Sequence, residues 1–133
     1  MKPKTSIRLL LPLVLILLSL TACAPDPNEE FLQGRWIFAN EGGNDRSGPA
    51  HVFYEWVFAG GTFSREFAVA VPMTLYGNYR ILESRENYLR LEIYNLNGTE
   101  SYAYTDQKGE IVIKLYPEKD QIKIQGQVFY RDK

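Results

Sequence analysis

The feature that most constrains the fold is a two-residue alternation of apolar and polar side chains in the second half of the chain. It is clear over residues 89–94, 111–116 and 122–125, and Val128 and Tyr130 continue the apolar face of the last run. Successive side chains of a β-strand point to opposite faces of its sheet, so each run predicts a strand with one buried side. No segment after residue 30 keeps a 3.6-residue apolar period. An all-β domain is therefore predicted.

Eight strands are predicted, separated by segments rich in glycine, asparagine, aspartate and proline. They are placed at residues 34–40, 51–59, 62–71, 75–83, 88–95, 100–105, 110–116 and 121–131. Most of the connections are short, which makes neighbouring strands antiparallel; the longer loop is at 41–50. A closed up-and-down barrel is favoured because closure leaves no sheet edge exposed, and a two-sheet sandwich is the alternative.

The first 23 residues predict export from the cytoplasm. A basic start within residues 1–8 overlaps an apolar run over 7–20, and small residues then lead to Cys23, the only cysteine. A run of this length is shorter than the roughly 20 residues of a membrane-spanning helix, so residues 1–22 are predicted to be a cleaved signal peptide. Leu-Thr-Ala-Cys at 20–23 resembles the bacterial lipobox. That resemblance implies lipidation of Cys23 and an anchor in the bacterial cell membrane or outer membrane, facing outside the cytoplasm.

The composition of the mature chain limits its partners. The signal peptide removes three of the 15 basic residues and none of the 16 acidic ones, which leaves a net negative charge and excludes a basic nucleic-acid footprint. A lipidated Cys23 leaves no thiol for a disulfide. Residues 23–30 are predicted to be the lipidated cysteine and a flexible tether, since Pro25 and Pro27 disfavour a helix. Residues 31–133 are predicted to form the barrel domain.

Gly34-Arg35-Trp36, at the start of the first predicted strand, resembles the Gly-X-Trp signature of lipocalins and other calycins. Together with residues 58–63, 77–81 and 129–131, it makes the chain similar to short bacterial lipocalin-like lipoproteins. The resemblance implies an eight-stranded lipocalin-like barrel in which Arg131 stacks on Trp36. Those two residues and Gly34 are the structural signature that the resemblance transfers.

The hairpin around Gly60-Gly61 allows two registers. A two-residue turn places Glu55 opposite Glu66 and Trp56 opposite Arg65, whereas a three-residue loop at 59–61 pairs Glu55 with Arg65. The first register sets like charges opposite each other, which is unfavourable. In either register, Arg65 is on a strand face that is otherwise apolar.

An arginine inside an aromatic barrel is suited to bind the carboxylate of a small hydrophobic or amphipathic ligand, and Tyr54, Trp56 and Tyr79 are its expected neighbours. The alternative is an Arg65 paired with an internal acid or stacked on Trp56. Ligand binding is the favoured function. A protein-interaction or inhibitor module of the cell envelope, with an unknown protein partner, is the second hypothesis, and the filling of the barrel interior discriminates between them.

An enzyme is not expected. His51 is the only histidine, and no Gly-X-Ser-X-Gly motif accompanies it. A metal site needs three or four ligands, usually several histidines or cysteines, so neither a metal nor another cofactor is predicted. His51 is instead interpreted as a solvated residue at the start of a strand.

Overall fold

A computed structural model describes residues 24–38, 53–68 and 71–133. The predicted signal peptide, Cys23, the loop at 41–50 and His51 lie outside the described residues. Within the described ranges, none of the helices combines the length and apolar character needed to cross a bilayer.

Eight antiparallel strands form a closed barrel in which each strand pairs with its sequence neighbours and the first pairs with the last. The strands are β1 (Gly34–Phe38), β2 (Phe53–Ala59), β3 (Thr62–Ala68), β4 (Pro72–Arg85), β5 (Tyr88–Asn97), β6 (Lys108–Tyr116), β7 (Gln121–Ile124) and β8 (Gln127–Arg131). The prediction of an all-β up-and-down barrel is confirmed, and the sandwich alternative is wrong.

The strand predicted at 100–105 is wrong. Two short 3₁₀ helices, Ser101–Ala103 and Thr105–Gln107, occupy this part of the chain. Glu100, with φ −99° and ψ 0°, is outside the extended region that a strand requires.

The single strand predicted at 121–131 is also wrong, because a two-residue turn divides it into β7 and β8. Gln125 and Gly126 at this turn have φ angles of 51° and 83°, so both adopt the left-handed conformation typical of tight hairpins. The turn reverses which side chains face inward after it. Phe129 is fully buried, and Tyr130, expected on the inner face, is 42% exposed.

A short helix replaces part of the predicted tether. Residues Pro27–Leu32 form helix α1, and the side chain of Asp26 accepts hydrogen bonds from the backbone N–H of Asn28 (2.8 Å) and Glu29 (3.3 Å). Proline is tolerated at the first helical position because its missing N–H has no partner there in any helix. Pro27 thus begins a helix, contrary to the prediction that it keeps the chain extended.

The barrel interior is filled by large side chains. A cavity that admits water would leave accessible surface on the side chains around it. Nine inward-facing residues from seven of the strands have none, at 0% exposure: Trp36, Trp56, Leu75, Leu89, Leu91, Ile93, Ile113, Ile122 and Phe129. The middle of the barrel is therefore a packed core.

The two ends of the barrel differ. Helix α1 packs against one end through the buried Leu32 and the adjoining Phe31, and we call this the closed end. Strand β1 starts here, and the β2–β3, β4–β5 and β6–β7 connections lie here. We call the opposite end, where β3 and β5 finish and β4 and β6 begin, the mouth.

Candidate functional site

The hairpin between β2 and β3 places Arg65 inside the barrel. Gly60 and Gly61, with φ angles of 54° and 84°, form a two-residue turn, and the register pairs Trp56 with Arg65. The alternative pairing of Glu55 with Arg65 is wrong. Glu55 does lie opposite Glu66, but its carboxylate forms an ion pair with Arg35 on the neighbouring strand.

Arg65 meets an internal acid. Its Nη2 donates a hydrogen bond to Oε2 of Glu100 in an ion pair, and the guanidinium carbon lies 5.4 Å from the ring centroid of Trp56. The side chain of Arg65 is only 10% exposed and that of Glu100 only 16%. Burial lowers the pKa of Arg65, but the hydrogen bond to Glu100 and the nearby negative charge outweigh it, and the net pKa is raised. Arg65 therefore stays charged although it is nine-tenths buried.

Two buried donors beside this ion pair have no acceptor. They are Nε of Arg65 and Nε1 of Trp56, which belong to residues directly opposite each other on β3 and β2. A buried polar group without a partner costs about 1–3 kcal/mol. These two donors therefore leave unused hydrogen-bonding capacity beside the ion pair of Arg65 and Glu100.

A small pocket opens at this point of the mouth. It has a volume of about 210 Å³ and is lined by Tyr54, Arg65, Phe67, Glu100 and Gln127. The rings of Tyr54 and Phe67 meet edge to face, with centroids 5.2 Å apart. Pockets for drug-sized ligands usually measure roughly 300–1,000 Å³, so this one suits a smaller group.

Glu100 is positioned by the turn that follows β5. Gly98 has a φ angle of 103°, and a Cβ at this position would lie 2.4 Å from the carbonyl oxygen of Thr74. The Glu100 N–H donates to that same oxygen (3.1 Å), and the Thr74 N–H donates to Oγ1 of Thr99 (2.8 Å). The backbone of Glu100 is therefore held against β4, which leaves its side chain to reach Arg65.

Tyr79 does not join this site. Its hydroxyl accepts a hydrogen bond from Nε2 of Gln33 (2.9 Å) and donates one to Oε1 of Glu29 (3.3 Å), both at the closed end. Burial raises the pKa of Tyr79. Of the expected neighbours of Arg65, the structure brings Tyr54 and Trp56 to it and places Tyr79 beside helix α1.

The signature residues Gly34, Trp36 and Arg131 meet at the closed end. The guanidinium carbon of Arg131 lies 4.2 Å from the ring centroid of Trp36, and its nitrogens donate to the carbonyls of Phe31 (2.7 Å) and Gln33 (2.6 Å). A Cβ on Gly34 would lie 3.0 Å from Nη1 of Arg131, so glycine allows this close approach. The group closes the barrel and has no access to the mouth pocket.

Sequence reasoning did not identify Glu100 and Gln127 as part of the pocket. Glu100 is distant from Arg65 in sequence and falls in the segment wrongly predicted as a strand. Gln127 lies beside the unrecognised β7–β8 turn. Gly98, which tightens the turn before Glu100, is the one local signal that this segment is not extended.

Comparison of the chain with protein-family models, with curated proteins and with solved structures found no match. Over residues 24–38, 53–68 and 71–133, no group of three or more His, Cys, Asp or Glu side chains is arranged to hold a metal ion. The candidate site therefore rests on the chemistry of the mouth pocket.

Proposed function

We propose that this chain is an extracytoplasmic lipoprotein, anchored through a lipid on Cys23, whose barrel binds a small amphipathic ligand at its mouth without catalysing a reaction. The observation that carries the binding proposal is Arg65, a nine-tenths-buried cation that lines an aromatic pocket and whose Nε has no hydrogen-bond partner. A buried guanidinium binds carboxylates strongly because it offers several donors in a fixed plane and little water competes.

The packed interior limits the size of the ligand. Trp56 and Phe129 are fully buried below the pocket, so an acyl chain has no channel through the barrel. A cavity of about 150 Å³ accommodates benzene. A pocket of about 210 Å³ therefore suits a carboxylate with an apolar part about the size of one ring, and a longer chain would extend out of the mouth.

The position of helix α1 suggests how the anchored barrel is oriented. Only residues 24–26 separate Cys23 from the helix, and three extended residues span about 10 Å. Asn28 ties the helix to the closed end by donating to Oγ of Ser84 (3.1 Å) and to the carbonyl of Arg85 (2.8 Å). With a lipid on Cys23, the closed end would face the membrane and the mouth would face away from it.

The anchor is tested by fractionation and mass spectrometry of the mature protein. We expect the wild type in the membrane fraction with acyl chains on Cys23, and we expect Cys23→Ser to be soluble or to remain an uncleaved precursor. A free thiol on the mature wild-type protein would contradict the anchor while leaving the binding proposal intact.

Binding is tested by isothermal titration of the full mature chain in nanodiscs with phenylacetate, a carboxylate with one ring, against empty nanodiscs. Arg65→Gln should weaken binding at least about tenfold, roughly the contribution of one charged hydrogen bond. Arg35→Gln, which breaks an ion pair on the outer face of the barrel, is the matched control and should bind like the wild type. Equal affinity in wild type and Arg65→Gln would contradict the site.

One observation favours a protein-interaction or inhibitor module as the second candidate. Tyr102 is 82% exposed and Val71 is 72% exposed, and both lie in connections at the mouth. Exposed aromatic and aliphatic side chains are typical of interaction surfaces. If no carboxylate binds but Tyr102→Ser abolishes capture of a specific envelope protein, this second function replaces the first.

A further inference from the structure

We propose that Glu100 is a built-in competitor that occupies the Arg65 site and is displaced by the carboxylate of the ligand. The inference rests on the proposed binding function and adds to it the chemical class of the ligand and the residue that sets its affinity. The site is occupied by the carboxylate of the chain itself in the described structure.

The geometry of the guanidinium supports displacement. In arginine, Nε–H and one N–H of Nη2 point to the same side and together form a fork that fits the two oxygens of a carboxylate. Glu100 contacts Nη2, while Nε is buried and has no partner. Glu100 therefore uses only one of the two donors, Nη2–H, and leaves Nε–H without a partner. Once Glu100 moves aside, a carboxylate that is not tied to the turn can adopt the orientation that reaches Nε as well as Nη2.

The fixed backbone of the turn is the reason why Glu100 contacts only Nη2 of Arg65. Its own N–H is bonded to the carbonyl of Thr74, and Gly98 sits too close to Thr74 for any side chain. The backbone of the turn is thus fixed, and the carboxylate approaches Arg65 from a set direction. The Glu100 side chain lines the pocket, and rotation about its own torsion angles would move its carboxylate off the guanidinium while the backbone stays in place.

This exchange selects for charge. A ligand that removes Glu100 from Arg65 must replace its negative charge, because otherwise it leaves a buried cation unpaired. A neutral molecule of the same shape cannot do so. The site should therefore accept a monocarboxylate with a small apolar group packed on Tyr54 and Phe67 and reject the corresponding amide.

The test compares phenylacetate and phenylacetamide by isothermal titration of the full mature chain in nanodiscs. Glu100→Gln keeps the side-chain shape but removes the competing charge, so phenylacetate should bind at least about tenfold more tightly than to wild type. Glu55→Gln removes the acid of the Arg35 ion pair on the outer face and is the matched control, with unchanged affinity. Phenylacetamide should bind none of the three proteins.

A second variant keeps the test decisive if Glu100→Gln does not fold. Glu100→Asp keeps the charge but shortens its reach, and it should bind phenylacetate more tightly than wild type and less tightly than Glu100→Gln. Thermal unfolding of each variant establishes that it is folded.

Three results would overturn the inference. If wild type binds phenylacetate, Arg65→Gln loses binding and both Glu100 variants bind no better than wild type, Glu100 is no competitor, although the binding function stands. If phenylacetamide binds as well as phenylacetate, the assignment of a carboxylate is wrong. If neither wild type nor the Glu100 variants bind phenylacetate, the binding function and the competitor both fail.

Discussion

Truncation of Arg131 should open the closed end of the barrel. Its Nη1 and Nη2 donate to the carbonyls of Gln33 and Phe31 at the end of helix α1, and its Nε donates to Oδ1 of Asp120 (2.7 Å). The last carbonyls of a helix have no partner within it, so Arg131 completes the C-terminus of α1 and links it to the β6–β7 connection. It also stacks on Trp36.

The magnitude follows from these contacts. Hydrogen bonds from a charged donor contribute about 1.5–3 kcal/mol each when both partners are shielded, and less at these half-buried carbonyls because water replaces the donor. The stacking on Trp36 contributes about 1 kcal/mol. The ion pair with Asp120 contributes well under about 1 kcal/mol because both groups are partly exposed. We expect Arg131→Ala to lower the free energy of unfolding by about 3–4 kcal/mol.

The assay is urea denaturation followed by circular dichroism. With an m-value of about 1–3 kcal/mol/M, the midpoint should fall by roughly 1–4 M. Arg131→Lys should lose about half as much, since it keeps the charge but not the planar fork. Arg80→Ala is the control, because Arg80 also has an ion pair, with Glu92, and a stacking contact, with Tyr94, but lies on the outer face. It should cost no more than about 1 kcal/mol. Equal losses in Arg131→Ala and Arg80→Ala would refute the reasoning.

Three further predictions concern other parts of the barrel. Trp36→Ala should lower the free energy of unfolding by about 3–5 kcal/mol as the truncation of a fully buried aromatic, and an unchanged urea midpoint would exclude this. The pKa of Tyr79 is raised in the folded state because burial favours the neutral hydroxyl. The contribution of the neutral hydroxyl to the free energy of unfolding is complete below the unfolded pKa of about 10 and is lost as the pH rises through the folded pKa. Wild type should therefore lose stability more steeply than Tyr79→Phe as the pH rises above about 10, and parallel curves would contradict this assignment. Gly98→Ala should cost more than about 2 kcal/mol by urea denaturation because its Cβ would clash with the Thr74 carbonyl, whereas Gly60→Ala, with open space around it, should cost about 1 kcal/mol; equal costs would show that the clash is relieved.

Local sequence patterns predicted most strands of the barrel. The alternation over residues 89–94 and 111–116 identified strands β5 and β6, because the side-chain period of a strand is visible wherever one face is buried. The position of the Gly60-Gly61 turn was also predicted, as two adjacent glycines permit the positive φ angles of a tight hairpin, but the sequence left its register open. These features also placed Arg65 on the inner face of β3.

Local patterns failed at the β7–β8 turn. Gln125 adopts a positive φ angle there, and a glutamine side chain does not favour that conformation as asparagine or aspartate does. Closure of the barrel requires this turn, because β8 must reverse direction to pair with both β7 and β1. The prediction that Pro27 keeps the chain extended was wrong because a helix of six residues is too short to form alone. The Asp26 cap and the packing of Leu32 against the barrel stabilise it.

The sequence by itself determined which residues of this protein alternate, where its tight glycine turn lies and that an arginine points into its barrel, because these properties depend on neighbours along the chain. Only the tertiary structure decided that Glu100 meets Arg65, that Tyr79 belongs to the closed end and that aromatic side chains fill the interior. Those outcomes depend on the register across β4 and β5 and on the summed volume of side chains from all eight strands, which closure of the barrel sets.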